Sequence, residues 1–482
     1  MLYDLLYRYV VLPMVEQLNH RNLLDDIESF RSQLELPSKS LLEEQTSRLR
    51  EIVVHAATSC LFWRERFAKA GIDPHRVESV DDLRNLPVLE KMEVRAHLEE
   101  MRSQGVPDEK TRLAMTGGST VAPMKFYRDI DMLRARTTWD WVFYDWIGRK
   151  PYDRWAFVWG AMQDLGAAGA LKTRLRNRLL NRVIVLPGNR MDEVSIRQFV
   201  AEMCRFKPRF LHSYSQAAYL LAKKVKEQSL AVPKMEAITV TAEPISPKQK
   251  QEIREVFRCP VYSFYGAREF GMMAAERPGR EGLQINPLNA IIEFLRPDGS
   301  RAEVGVPGQV VVTDLLNRAV PFIRYRLGDI AIPLPAASAG PSLPRMDLCA
   351  GRETDFVLTP EGRFVSGAAM TLIASPGVAG TQYLQTESAK LTVRYVKAPG
   401  FTADHLSQLQ EQLVSVLGVG MRYDFVEVSE LPLLASGKLQ YVYSQVAREA
   451  LAITTEGSDC QTDGSGNVLG LDRRDSPARN IP

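Results

Sequence analysis

The chain has 482 residues, 45% of them hydrophobic and 25% charged, which is the composition of an ordinary globular protein and excludes a largely disordered or fibrous one. One hydrophobic core does not organise that length, so a large domain with at least one smaller one is expected. Lys and Arg number 61 against 58 Asp and Glu, a net charge of +3 with no long run of one sign, so electrostatics nominate no nucleic-acid partner.

The N-terminal stretch MLYDLLYRYVVLPMVEQL is apolar, but Asp4 and Arg8 interrupt it and no small-residue cleavage site follows. It reads as an amphipathic helix docked on the protein body, and its mixed face is also compatible with weak membrane-surface contact. From Leu41 to Ala70 apolar residues recur at helical spacing, predicting one long helix or two short ones. Ser79 then stands three residues before Asp82, a capping signal for a short helix. The aromatic cluster Trp139–Trp146 has helical spacing and suits core or pocket wall, with no catalytic role.

Beyond residue 150, strand-like runs at Trp155–Trp159, Val183–Leu186, Phe210–His212, Ala237–Thr241 and Val261–Ser263 alternate with helical ones at Ser195–Phe206, Gln216–Gln228 and Pro247–Phe257. That alternation predicts an α/β fold with a substantially parallel sheet. IIEFL, QVVVTDL and AVPFIRYRL follow as strand-like runs, predicting a β-rich subdomain. A strand at Leu391–Val396, a helix at Thr402–Leu417 and a strand at Tyr423–Val428 then indicate a small α+β domain of about ninety residues, within the usual domain range. The expected division is 1–357 for a multi-subdomain N-terminal part, 358–453 for a mobile C-terminal domain, and 454–482, rich in Gly, Ser, Asp and Pro, for a disordered tail. The five cysteines are an odd number without CxxC spacing, which predicts no disulfide framework and a reducing, cytoplasmic setting. The histidines lack HExxH or similar spacing, so no zinc site is expected.

TGGSTVAPMKFYRD, Thr116 to Asp129, concentrates Thr, Gly and Ser in a loop whose N–H groups and hydroxyls can wrap a polyphosphate, although a plain surface loop has the same composition. It is not the P-loop of the large NTPase class, because no GKS or GKT follows. AEPIS (Ala242–Ser246) follows the apolar run AITVT, at a strand end where α/β sheets bind ligands. YGAREFG (Tyr265–Gly271) offers an aromatic face and Glu269, FIRYRLGD ends in Asp329, GRETD brings Arg352, and LPLLASGKLQY carries Lys438. Read singly, Asp329 also suits a solvated strand end, Arg352 a surface ion pair, Tyr265 core packing and Lys438 a solvated loop.

In this order and spacing the motifs resemble the adenylate-forming enzymes, specifically the phenylacetate–CoA ligase-like branch with the CapK-type capsular-polysaccharide proteins. The resemblance runs from about Thr46 to about Val446 and takes in the lead-in LFWRERFAKAGIDP…LRNLPVLEK. It implies ATP-dependent activation of a carboxylic acid as its acyl-adenylate, with Mg²⁺, then transfer to coenzyme A or an amine, in a pathway such as surface-polysaccharide assembly. It also implies that Thr116, Gly117, Gly118, Ser119 and Thr120 hold the β- and γ-phosphates with Lys125 close by. Ala242, Glu243 and Pro244 line the adenine pocket, Tyr265 stacks on the ring and Gly266 adjoins it. Glu269 is the implied Mg²⁺ ligand, a hard oxygen donor suited to that ion. Asp329 takes the ribose hydroxyls, Arg352 reaches the ribose or phosphates, and Lys438 approaches the α-phosphate when the C-terminal domain closes about a hinge at GRETDFVL. Trp159, His212 and Tyr214 are candidates for the acyl pocket, and a homodimer is compatible with the resemblance.

Two positions depart from the family's pattern. Val121 replaces a glycine in the loop, and Arg268 replaces a small hydroxyl residue before Glu269. Arg268 thereby offers a catalytic cation, a reader of an acidic substrate, or a partner for Glu269 that displaces the metal. A protein that keeps the fold and nucleotide binding but has lost catalysis is the competing expectation.

Overall fold

A computed structural model of the chain describes residues 2–18, 22–116, 124–159, 171–187, 193–242, 245, 247–296, 298–336, 343–352, 356–361, 364–366, 370, 373, 375, 377–431 and 441–447. The tail expected from 454 lies outside the described residues.

Strands β1 (Thr111–Met115) and β2 (Lys125–Asp129) form an antiparallel hairpin. An eleven-stranded sheet follows, built from β3 (Trp155–Trp159), β4 (Val183–Pro187), β5 (Phe210–Tyr214), β6 (Ala237–Thr241), β7 (Val261–Ala267), β8 (Gly271–Glu276), β9 (Leu283–Ile285), β10 (Ala290–Leu295), β11 (Gly308–Asp314), β12 (Tyr325–Leu334) and β13 (Arg345–Arg352). Its spatial order is β10-β11-β12-β13-β9-β8-β7-β6-β5-β3-β4. From β7 to β4 neighbouring strands are parallel, whereas from β7 to β10 they are antiparallel.

Helices 193–206, 215–227 and 247–257 cover the parallel half. Each presents an apolar stripe, such as Ile196, Phe199, Val200, Met203 and Phe206, to a common core with Ile238, Val240 and Val261. Strands covered on both faces need no polar alternation, which is why FLHSY is buried throughout. The expected β-rich subdomain is therefore not a separate sheet. β7 pairs in parallel with β6 through Ile238↔Val261 and antiparallel with β8 through Phe264↔Ala275, fusing both halves.

The segment Leu41–Ala70 forms two helices, Ser38–Ser59 and Leu61–Lys69, broken at Cys60, whose φ of −124° and ψ of 125° are extended. Trp63 and Phe67 pack against Val310, Val312, Phe322 and Tyr325 of the antiparallel half. The capping box at Ser79 and Asp82 forms. AVPFIRYRL departs from the strand expected over its whole length, since β12 begins only at Tyr325. Pro321 lacks the N–H a ladder needs, and Arg324 takes a φ of +52° to turn its guanidinium inward. There Arg324 pairs with the buried Glu293 at 3.1 Å and donates to the carbonyls of Leu83, Arg84 and Leu86.

Strands β14 (Phe356–Leu358) and β15 (Phe364–Ser366) form a hairpin, followed by β16 (Val378–Glu387), β17 (Lys390–Lys397), β18 (Arg422–Glu427) and β19 (Val442–Ser444) in the order β18-β17-β16-β19. Helix Ala403–Leu417 starts at the capping residue Thr402 and buries Leu409, Leu413 and Leu417 against Leu391, Val393 and Tyr383. No helix among the described residues is long and apolar enough to cross a membrane.

Candidate active site

The parallel strands run in one direction, so their carboxyl ends share one edge. β3 leads to β4 on one side and the chain then returns past β3 to β5, so strand order reverses between β3 and β5. A crevice opens outside such a reversal. Trp159 ends β3 and Tyr214 ends β5, and their rings meet there with centroids 4.2 Å apart. His212 stacks on Phe157 at 5.7 Å and on Trp159 at 5.6 Å, and its Nδ1 lies 2.6 Å from the Thr239 hydroxyl. Burial, and then the nearby Arg149 guanidinium, push the His212 pKa down to about 3. The three expected acyl-pocket residues thus come together as a neutral aromatic wall.

One strand further on, β6 ends at Thr241 and is followed by Ala242, whose φ of +70° is uncommon for a residue with a Cβ. Such strain persists where surroundings over-determine the backbone, commonly at functional sites. Glu243 and Pro244 lie outside the described residues.

The motif YGAREFG proves to be the tip of the β7–β8 hairpin. A Cβ at Gly266 would stand 2.2 Å from the Gly271 carbonyl oxygen, so only glycine lets the strands approach so closely. Glu269 is buried in the turn. Beneath it lies Arg136, on the helix Ile130–Trp146, whose two Nη groups donate to the carbonyls of Glu269 at 3.1 Å and Arg268 at 3.3 Å. Gly271 has a φ of +76°, and a Cβ there would fall 2.4 Å from Arg136 Nε. Burial pulls the Arg136 pKa down to about 10, opposed by Asp140, Asp314 and Glu269, so the guanidinium stays charged at neutral pH. Burial likewise raises Asp140 to about 7 and Asp314 to about 6, each held back by Arg136. Asp140 Oδ1 accepts from the Met272 N–H at 3.4 Å, while Asp314 Oδ2 has no hydrogen-bond partner among the described residues.

Tyr265 donates its hydroxyl to Asp329 Oδ2 at 2.9 Å, joining β7 to β12. Asp329 does not end its strand. It lies within β12, after Gly328, and faces Arg352 of β13 in register. At the loop end of the β1–β2 hairpin Thr116 exchanges two hydrogen bonds with Met124, its N–H donating to the Met124 carbonyl and its Oγ1 accepting from the Met124 N–H, each at 2.9 Å. These pinch the neck of the Gly/Ser/Thr loop. Lys125 is exposed beside the neck, opposite Met115. Arg268 Nη1 donates to the Met115 carbonyl at 3.2 Å, tying the Glu269 turn to the loop's base. Gly117, Gly118, Ser119, Thr120, Val121 and Lys438 lie outside the described residues, as does the Arg352 side chain.

Arg136, Asp140 and Asp314 form a buried charge cluster that the motifs do not reveal. No His, Cys, Asp or Glu group of three or more is placed to hold a metal among the described residues. A Mg²⁺ bound by one carboxylate together with substrate phosphates requires no such group, so Glu269 fits that ion's usual mode.

Residues 357–445 match the family model of the CapK C-terminal domain. The protein CapK of Staphylococcus aureus is 21% identical over 426 residues, covering 84% of this chain and 90% of CapK. The phenylacetate-coenzyme A ligase of Escherichia coli (strain K12) is 26% identical over 333 residues, covering 65% of this chain and 71% of that enzyme. Among solved structures, a 2-hydroxyisobutyryl-CoA ligase in the postadenylation state, in complex with R3-HIB-AMP, aligns with a TM-score of 0.68 at 18% identity, covering 88% of this chain and 94% of that one. The chain thus carries a CapK C-terminal domain at residues 357–445, is similar over most of its length to CapK and to phenylacetate-coenzyme A ligase, and shares the fold of the 2-hydroxyisobutyryl-CoA ligase.

Proposed function

We propose that this protein activates a carboxylic acid with ATP as its acyl-adenylate, and then transfers the acyl group to coenzyme A or an amine. The observation that carries the reading is the Tyr265–Asp329 hydrogen bond, which joins the hairpin bearing Glu269 to the strand expected to hold ribose. Arg268 links that hairpin to the loop expected to hold phosphates. In the first step a carboxylate oxygen attacks the α-phosphorus, the bond to the bridging oxygen breaks, and pyrophosphate leaves with its electron pair. In the second, a thiol or amine attacks the acyl carbon and AMP leaves.

Both reactants of the first step are anions, so cations placed where charge develops supply much of the catalysis. Mg²⁺, when bound, would spread the phosphate charge, with Glu269 as its protein ligand. Arg136 fixes the backbone that carries Glu269, and Asp329 offers its carboxylate to the ribose hydroxyls. The aromatic wall of Trp159, His212 and Tyr214 excludes water and, with His212 neutral, adds no charge to the acyl pocket. The motif resemblance to CapK-type capsular-polysaccharide proteins suggests acyl decoration of a surface polysaccharide as the setting, with the chemistry on the cytoplasmic side where ATP and coenzyme A are found.

The test is acid-dependent pyrophosphate release from ATP and Mg²⁺ with a broad panel of aryl, fatty and amino acids. Normal ATP binding with no acid stimulating release would favour the reading in which the fold persists without catalysis. Tyr265→Phe removes the hydroxyl that steadies Asp329. A neutral-to-charged hydrogen bond is worth about 1.5 kcal/mol, so the KM for ATP should rise about tenfold with the acid's KM unchanged. Equal ATP KM values for variant and parent would separate Asp329 from ribose binding.

A further inference from the structure

The helical segment from Leu2 to Leu18 has apolar residues on two faces. The inner face docks: Tyr3 and Tyr7 donate their hydroxyls to the carbonyls of Leu179 and Leu180, and Asp4 pairs with Arg182. An ordinary surface helix turns polar residues outward. This one turns out Leu6, Tyr9, Val10 and Met14, with Tyr9 64% and Met14 57% exposed. The tyrosine hydrogen bonds place it against the end of helix Leu171–Leu179, where Leu175, 56% exposed, and Leu179 also stand in solvent. Among the same residues Arg174, Arg176 and Arg178 are exposed, and the sequence LKTRLRNRLLNR contains no acid. Arg8 adds a further cation, stacked on Tyr9 at 5.2 Å and Tyr152 at 4.6 Å. The acids nearby are already engaged: Asp4 with Arg182 and Arg154, and Glu202 with Arg178 at 3.7 Å.

From this juxtaposition we infer that the N-terminal helix and helix Leu171–Leu179 together form a docking surface for an anionic lipid bilayer. Exposed apolar side chains on two adjoining elements, accompanied by cations, meet both requirements of interfacial binding: leucine and aromatic side chains enter the acyl boundary, and arginines meet the headgroup phosphates. Charge selects the occupant. A second copy of the chain would bring like-charged arginine rims together, which disfavours association, whereas an anionic surface neutralises them. No spanning helix is needed, and the contact is peripheral and reversible. The inference is independent of the proposed reaction, because none of these residues belongs to the candidate active site.

The experiment is flotation of the full chain with vesicles of phosphatidylcholine alone and of phosphatidylcholine and phosphatidylglycerol in equal parts, at low and high salt. The protein is expected to float with the anionic vesicles, to be released by salt, and to ignore the neutral ones. Replacing Arg174, Arg176 and Arg178 together by serine should weaken partitioning about 10²-fold, at about fivefold per arginine. Tyr9→Asp with Met14→Asp should abolish it, with the melting temperature held because both side chains are exposed. Failure of the parent to float with anionic vesicles, or undiminished floating of the triple arginine variant, would overturn the inference. So would a Tyr9/Met14 variant whose sole change is conversion of a dimer to a monomer, since the patch would then be a homodimer interface.

Discussion

Lys438→Ala is expected to lower acid-dependent pyrophosphate release by about 10²–10³-fold, the loss typical of removing one preorganised donor from a developing anion. Lys438 falls within the match to the CapK C-terminal domain, on a different part of the chain from the Tyr265–Asp329 pair. A cation carried on a separate domain can be present while the carboxylate attacks the α-phosphate and withdrawn before acyl transfer. The second half-reaction therefore supplies the control. When acyl-adenylate is added directly, transfer to coenzyme A should proceed at the parent rate, and the circular dichroism spectrum should be unchanged. Undiminished pyrophosphate release would remove Lys438 from the mechanism. Equal losses in both half-reactions would instead indicate general damage to the C-terminal domain.

The parallel half was readable from sequence because its strands are buried on both faces. A run such as AITVT, short and rich in β-branched residues, then reads as strand, and its helices declare themselves by their 3.6-residue stripes. The β7–β8 hairpin was harder. YGAREFG carries two glycines whose need is steric, Gly266 against the Gly271 carbonyl and Gly271 against Arg136, and neither contact is local in a way a window can see. The start of β12 is masked in the sequence because apolar residues 319–323 are buried for packing on Phe126 and Phe270 and not for a ladder. Arg136 left almost no trace. In IDMLRARTTW it is one of two arginines that read as a solvated helix face, while its partners lie 132 and 133 positions away. The available hint was a glycine directly after GluPhe, which implies a left-handed turn pressed against something large.

Arg136 carries the other large effect. Arg136→Met keeps approximate volume but removes the cation between Asp140, Asp314 and Glu269 and the donors to two carbonyls. Breaking a buried charge cluster in this way costs about 3–5 kcal/mol, to be read as a fall in the urea midpoint. The pH dependence distinguishes lost charge from lost packing. Asp140 and Asp314 have folded pKa values of about 7 and about 6, above the ordinary 3.8. The folded state thus binds more protons than the unfolded one between 3.8 and those values, and stability falls as pH rises through that window. Without Arg136 both carboxyls lose the attraction that lowers them, so the window extends upward and the variant's deficit grows. It should be smallest near about pH 4, where both acids are protonated, and largest above about pH 8. Arg136→Lys should restore the high-pH part, because charge returns, but not Mg²⁺-dependent pyrophosphate release, because an ammonium cannot fork to both carbonyls beneath Glu269. A deficit constant across pH would mean that Arg136 acts by packing alone, and full catalytic rescue by lysine would mean that the hairpin does not depend on the guanidinium for its shape.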